Sequence, residues 1–431
     1  MFAPPTALRR VVAALLAASL AAAGLTACGS DEPAASGTTL TLTIRGNEND
    51  KAVFEQRLAQ AKKALPGIDV KLVQIDNDNY DTKVQTMFAG AQAPDVLMID
   101  EAVNVYSSKG QLEDLKPRLA SAGVDPVGRF GQGALDTYST DGKLWAAPDR
   151  GGAMVVYYNK DIFDAQGVAY PDSTWDWTRF REAAAKLTVR DGGKVKSWGY
   201  AAGDWWPWTM TWMYQNGGRV LDASGAPVVN SSANVEALQF YNDVVLKDHS
   251  APSPIDYANA GLDNGKPDAL FEQGKLAMVT TGFWNIASLK ESRVKWDIAP
   301  LWHGRKSAVP AFGSGLAVSS RSRHKDEAAR LVAYLTSVEG QLPIVTSGLD
   351  VPANLEAVAS EAFKKPTWNT RGVNLAAFAE SAPVIYSPPL VPEWKEMQKA
   401  FTDGMTPVWK GEDSVQAGLD RVQKSLERII R

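Results

Sequence analysis

Between Thr39 and Ile99 the sequence alternates strand and helix patterns, and that order restricts the fold more than any other feature. "TLTLTIRG", Thr39 to Gly46, places Leu40, Leu42 and Ile44 at every second position with threonine between them, the period of a strand. Phe54, Leu58, Ala61 and Leu65 then fall at helical spacing, and Pro66-Gly67 ends that helix. "IDVKLVQI", Ile68 to Ile75, predicts a second strand, and Tyr80 to Ala89 a second helix. The unbroken apolar run in "DVLMI", Asp95 to Ile99, predicts a strand buried on both faces. Strand, helix, strand, helix, strand predicts an α/β fold whose parallel sheet is built from βαβ units.

Ahead of this body stands Arg9-Arg10, then "VVAALLAASLAAAGL", Val11 to Leu25, without a charge. A basic start and an apolar run form a secretory signal. The run is about 15 residues, short of the ~20 that a spanning helix needs. It ends in "LTAC", whose Cys28 is the only cysteine of 431 residues. Leu25 at −3 and small residues before Cys28 resemble the lipobox of bacterial lipoproteins, in which the thiol takes a diacylglycerol and becomes the mature N-terminus. Acyl chains contribute ~0.8 kcal/mol per buried CH2, and two or more anchor stably. The expectation is therefore a signal peptide over 1–27, lipid attachment at Cys28, a flexible tether over 28–38 and a location on the outer face of the cell membrane. A lone cysteine leaves no disulfide within the chain.

The roughly 400 residues after Cys28 exceed what one core serves, so two domains are expected. Hydrophobic residues at 45% and charged residues at 22% give an ordinary globular balance, and a net charge of −4 offers nothing to nucleic acid. Further along, Thr174 is the expected cap of a helix carrying Phe180, Ala184 and Leu187 on one face. "DWWPWTMTW" clusters Trp205, Trp206, Trp208 and Trp212. The chain closes on a helix capped by Asp413 or Ser414, with Val415, Leu419, Val422, Leu426 and Ile429 on one stripe.

Several segments together resemble extracellular solute-binding proteins, family 1, the carbohydrate-binding group of ABC importers that includes maltose-binding proteins. They are "APDVLMID" (from Ala93), "GKLWAAPDRGGAMVVYYNKDIFDAQGVAYPDSTWDW" (from Gly142), "ALFEQGKLAMVTTGFWNIASLK" (from Ala269), "WDIAPLW" (from Trp296) and "GSGLAVSSRSRHKDEAARLVAYLTSVEGQ" (from Gly313). The resemblance implies the two-lobe periplasmic-binding-protein fold, type II. Each lobe would be a mixed, mostly parallel sheet flanked by helices, with the ligand between lobes at the carboxyl ends of the strands. It also implies three crossings, expected near Asp149, Arg293 and Val351. One lobe is then 38–149 plus 294–351, the other 150–293 plus 352–431. The implied partners are a sugar or oligosaccharide, the permease subunits and the membrane; no cofactor or metal is implied, and a monomer is expected.

A sugar offers hydroxyls at its rim and apolar C–H faces, so its site pairs planar polar groups with flat aromatic ones. By the family pattern, strand-end loops of the first lobe carry the polar groups: Asn47 and Glu48, Asp78 and Tyr80, Asp100 and Glu101. Each is equally the kind of residue that caps a helix or faces water. The second lobe is expected to supply Trp284, Trp394 and, from the cluster, Trp205 and Trp206 with Asp204. Trp208 and Trp212 are expected in the core. Asp149 and Arg150 stand near the first crossing, where the maltose-binding group has a carboxylate, and Gly151-Gly152 follow them. Gly313 and Ser314, in "GSG", let backbone approach a ligand closely or make a plain turn.

The rival class is a surface glycoside hydrolase with two carboxylates across a cleft. His249, His303 and His324 are widely spaced in sequence, and no G-x-S-x-G, H-E-x-x-H or phosphate-cradling motif occurs. A binder of a glycerophosphodiester would need cations near the cleft, for which Arg150 and Arg371 are the candidates.

Overall fold

A computed structural model describes residues 37–201, 205–259, 267–381 and 384–430. Residues 1–27, expected to be a signal peptide, and Cys28 and Asp204 lie outside the described residues. The chain starts with β1 (Thr38–Arg45), the helix Glu48–Ala64, β2 (Ile68–Ile75), the helix Tyr80–Ala89 and β3 (Val96–Ile99). β1 pairs in parallel with both β2 and β3. Leu40, Leu42 and Ile44 are fully buried, and a slip of one residue would turn all three to the opposite face. The helix Glu48–Ala64 buries Val53, Phe54, Arg57 and Ala61, while Leu58 is only half-buried. An arginine occupies the inner face because its partner, Asp149, is also inside.

β4 (Ser139–Thr140) and β5 (Lys143–Leu144) make a short hairpin before β6 (Ala147–Ala153). One residue separates β6 from β7 (Val155–Asn159). Next comes the helix Trp177–Leu187, capped by Asp176, whose carboxylate accepts from the Arg179 amide at 2.8 Å. The expected cap, Thr174, bonds Asp172 instead. β8 (Val189–Asp191), β9 (Lys194–Ala201), β10 (Leu276–Thr281) and β11 (Trp296–Ala299) complete a second sheet in the order β11-β7-β10-β9-β8. Only β9 and β10 are parallel there, so parallel pairing predominates in the first sheet alone. β12 (Val309–Val318) then returns to the first sheet, antiparallel to β3 and β6, with β13 (Ile385–Tyr386) beside its start. The chain leaves the second sheet after Ala299 rather than near Arg293, because β11 pairs with β7 from Trp296–Asn159 to Ala299–Val156.

The second sheet is covered on both faces, as the alternation of β7 requires. Val156 and Tyr158 enter one core with Phe180, Trp212 and Trp302. Val155 and Tyr157 enter another with Phe283, Ile286, Trp296 and Phe378. Trp212 stacks on Trp302 at 5.7 Å between centroids, and Trp208 donates its indole N–H to the Thr280 carbonyl at 2.7 Å. Both are core residues.

The helices Trp394–Trp409 and Val415–Ile429 pack onto this second core, the latter capped by Ser414. Glycine lets them touch closely: a Cβ on Gly404 would lie 2.5 Å from Val422, and one on Gly418 2.5 Å from Val408.

Candidate functional site

Three passes of chain run side by side between the two sheets. β6 and β12 pair through Ala153–Ala311, Gly152–Phe312, Gly151–Gly313 and Arg150–Ser314. The third pass joins them where the Gly151 amide donates to the Val351 carbonyl at 3.0 Å and the Ala353 amide to the Asp149 carbonyl at 3.2 Å. Asp149 and Arg57 form an ion pair with both side chains fully buried. Arg57 also donates to the Gly340 carbonyl at 2.8 Å and the Leu335 carbonyl at 2.7 Å. Arg150 bonds Asp50 at 2.8 Å and the Ser314 hydroxyl at 3.2 Å. A Cβ on Gly313 would lie 2.8 Å from the Arg150 carbonyl, so this glycine serves the close pairing of β6 and β12. Asp149, Arg150, Gly313 and Ser314 thus tie the passes to one another and to the first core, and "GSG" is strand, not turn.

On the first-sheet side a polar patch gathers at the carboxyl ends of β1 and β3. Arg45 ends β1, Asp81 opens the helix Tyr80–Ala89, and Asp100 and Glu101 follow β3. Arg45 bonds Asp81 at 3.0 Å and also Asp100. The Tyr106 hydroxyl donates to Asp81 at 3.0 Å. Lys395, from the second core, reaches Asp81 at 2.9 Å and Asp100 at 4.0 Å. Burial pushes the Asp81 carboxyl up, but Arg45 and then Lys395 outweigh it and hold the group below its ordinary value. Burial and then neighbouring Asp100 push Glu101 up to about 7. Glu101 makes no ion pair among the described residues, so it is the acid of this patch left open to a newcomer.

The other strand-end candidates lie differently. Asn47 caps the helix Glu48–Ala64, accepting from the Asn49 amide at 2.8 Å while its own amide donates to Asp50 at 2.9 Å, a capping box. Glu48 is 80% exposed and faces Lys51. Asp78 is exposed, and Tyr80 is buried, its hydroxyl donating to the Met98 carbonyl at 2.7 Å. Asp81, one residue past Tyr80, is the group the patch uses; an acid in the first turn after β2 was the signal for it. Arg45 and Lys395 were also missed, although each adjoins a recognisable feature: the strand "TLTLTIR" and Trp394.

On the second-sheet side Trp205, Trp206 and Trp284 come together around Phe312, and Trp394 packs against Trp206. The Phe312 centroid lies 5.0 Å from Trp205, 5.7 Å from Trp206 and 5.2 Å from Trp284. Trp205 is 40% exposed and Trp284 half-buried, so these two offer the open surfaces. Trp206 and Trp394 are buried behind them, edge to face at 5.3 Å. The amide oxygen of Gln398, oriented to satisfy both indoles, accepts from Trp394 at 3.1 Å and Trp206 at 3.0 Å. Trp284 folds back over Gly282, where a Cβ would lie 2.0 Å from its ring. Phe312 and Gln398 carried no signal in sequence: one sits beside the apparent turn "GSG", the other inside a helix.

The two patches meet at Trp394 and Lys395, adjacent residues that begin one helix. Planar donors and acceptors on one side and indole faces on the other are the complement of a ligand with a hydroxylated rim and apolar faces.

Residues 45–342 match the family model for bacterial extracellular solute-binding proteins. The maltodextrin-binding protein of Bacillus subtilis is 25% identical over 362 residues, covering 80% of this chain and 81% of its own. A maltooligosaccharide ABC transporter solute-binding lipoprotein of Streptococcus pneumoniae is 26% identical over 369 residues, covering 80% and 81%. Among solved structures, an ABC substrate-binding protein of Listeria monocytogenes in complex with cycloalternan matches with a TM-score of 0.83 and 26% identity, over 91% of this chain and 98% of that one. The architecture is that of the type II periplasmic-binding proteins, two mixed α/β units joined by crossing segments. With the family model spanning most of the chain, the protein belongs to the bacterial extracellular solute-binding proteins.

Proposed function

We propose that this protein is the exported receptor of an ABC importer, tethered to the outer face of the membrane through lipid on Cys28. It captures an oligosaccharide between its lobes and passes it unchanged to permease subunits. The first lobe comprises 38–149 and 309–351, the second 150–308 and 352–431. Asp81, Asp100, Glu101, Arg45 and Lys395 would hold hydroxyls, while Trp205 and Trp284 would stack on sugar faces. Trp206 and Trp394 would brace them from behind, and Asn47 and Glu48 would border the cleft.

The observation that carries this reading is the adjacency of Trp394 and Lys395, which brings the aromatic patch against the polar one. The names of the relatives in Bacillus and Streptococcus support the same ligand class. Closure follows from differential contact: a ligand favours the closed form only through bonds it makes to both lobes at once. A phosphodiester fits less well, because Arg45 and Lys395 are already paired with Asp81 and Asp100.

A thermal-shift series from maltose to maltoheptaose tests the ligand class, since a ligand bound to the native state raises its melting point. The proposal expects a rise with at least one of them; no shift with any neutral oligosaccharide, together with one for a phosphodiester, would overturn it. Incorporation of labelled fatty acid, lost in Cys28→Ala, tests the anchor.

A further inference from the structure

Phe312 stands at the centre of the aromatic patch, yet it comes from neither of the segments that supply the indoles around it. Its backbone belongs to β12 and pairs opposite Gly152 of β6, so it lies on the connecting strands themselves. Its ring contacts indoles from two separate segments, Trp205 and Trp206 from one and Trp284 from the other. Among the described residues, Phe312 is the aromatic ring in contact with Trp284. Around it the connecting strands carry glycine: Gly152 faces it on β6, and Gly313, which follows it on β12, faces Gly151. Backbone bonds to the third pass hold Gly151 here, and Phe312 supplies the aromatic side chain of the paired strands β6 and β12.

We infer that Phe312 is a positioning residue that couples occupancy of the aromatic platform to the pairing of the connecting strands. An indole that shifts to stack on a ligand must move against this ring, and the ring carries the shift into β12 and its pairing with β6. Each aromatic contact adds specific geometry to ordinary burial, and three converge here. The inference rests on the cleft reading above but not on which ligand fills the cleft.

Amide exchange of the full chain, followed by mass spectrometry on fragments covering 147–154 and 309–315, reads the connecting strands directly. In the unliganded protein, Phe312→Ala and the milder Phe312→Leu are expected to speed exchange there by about tenfold while the cores around Leu42 and Trp212 keep their protection. Phe312→Tyr, which keeps the ring, is expected to restore slow exchange. With maltotetraose as probe, wild type is expected to gain protection over 147–154 and Phe312→Leu to gain none. Unchanged exchange over both strands in Phe312→Leu, or acceleration spread evenly through the second core, would overturn the inference. A wild type indifferent to maltotetraose would count against the sugar reading, while the unliganded comparison would still decide the role of Phe312.

Discussion

The Lys395 ammonium lies 2.9 Å from the Asp81 carboxylate, joining the helix Trp394–Trp409 of the second core to the helix Tyr80–Ala89 of the first. Both side chains keep about a third of their exposure, so water and salt weaken the pair. Pairs of this kind contribute ~0.5 kcal/mol, enough to bias a hinge but not to lock it. Lys395→Met should therefore enlarge the unliganded protein in small-angle scattering, and about 1 M salt, with its ~3 Å Debye length, should do the same to wild type. A radius of gyration indifferent to both would remove this pair from the closure equilibrium.

Glu101 should leave a signature in the pH dependence of stability. Its folded value is raised from 4.5 to about 7, so between those values the native state holds a proton that the unfolded chain has released. Stability from this group is then fully present below 4.5 and falls as pH rises through 7. Glu101→Gln should flatten that fall, seen as a smaller loss of denaturant midpoint between pH 5 and pH 7.5 than in wild type. Equal slopes would show that Glu101 titrates normally.

Gly282 should matter through Trp284 alone. A methyl at 282 would stand 2.0 Å from the indole, so Gly282→Ala must displace the ring. Oligosaccharide affinity should fall about tenfold or more, as it should in Trp284→Ala, if this indole supplies a stacking face. Calorimetry checks both; Trp284→Ala binding like wild type would take Trp284 out of the site.

The Arg57–Asp149 pair should behave as a buried charge pair does. Removing one partner strands the other charge where both are fully buried, and Arg57→Met or Asp149→Asn should each cost about 3–5 kcal/mol in chemical denaturation. A double replacement by apolar residues should recover part of that loss. Single variants with wild-type midpoints would contradict the burial.

Elements with local causes were legible in the sequence. The helix Tyr80–Ala89 and the strands from Thr38 to Ile99 follow from alternation and punctuation within each segment, and Leu40, Leu42 and Ile44 point where their period says. What depended on distant partners was not. Nothing near Arg57 announces Asp149, 92 positions away, so the helix face was read one residue off. Nothing in "WDIAPLW" announces that Trp296 pairs with Asn159, 137 positions earlier. At the site, aromatic character showed through in Trp205, Trp206, Trp284 and Trp394, because a large flat side chain in a loop or at a helix start has few purposes other than contact. The polar half was misplaced at Asp78 and Tyr80 because the turn before the helix hides its phase. Phe312 was hidden because its neighbours, all glycine or small, imitate a turn.

The central claim is that two lobes close on one oligosaccharide, and calorimetry paired with scattering on the same sample tests it most directly. Titration with the maltooligosaccharide that most raises the melting point should give saturable one-to-one binding together with a fall in radius of gyration. Saturable binding with an unchanged radius and unchanged tryptophan emission would contradict it.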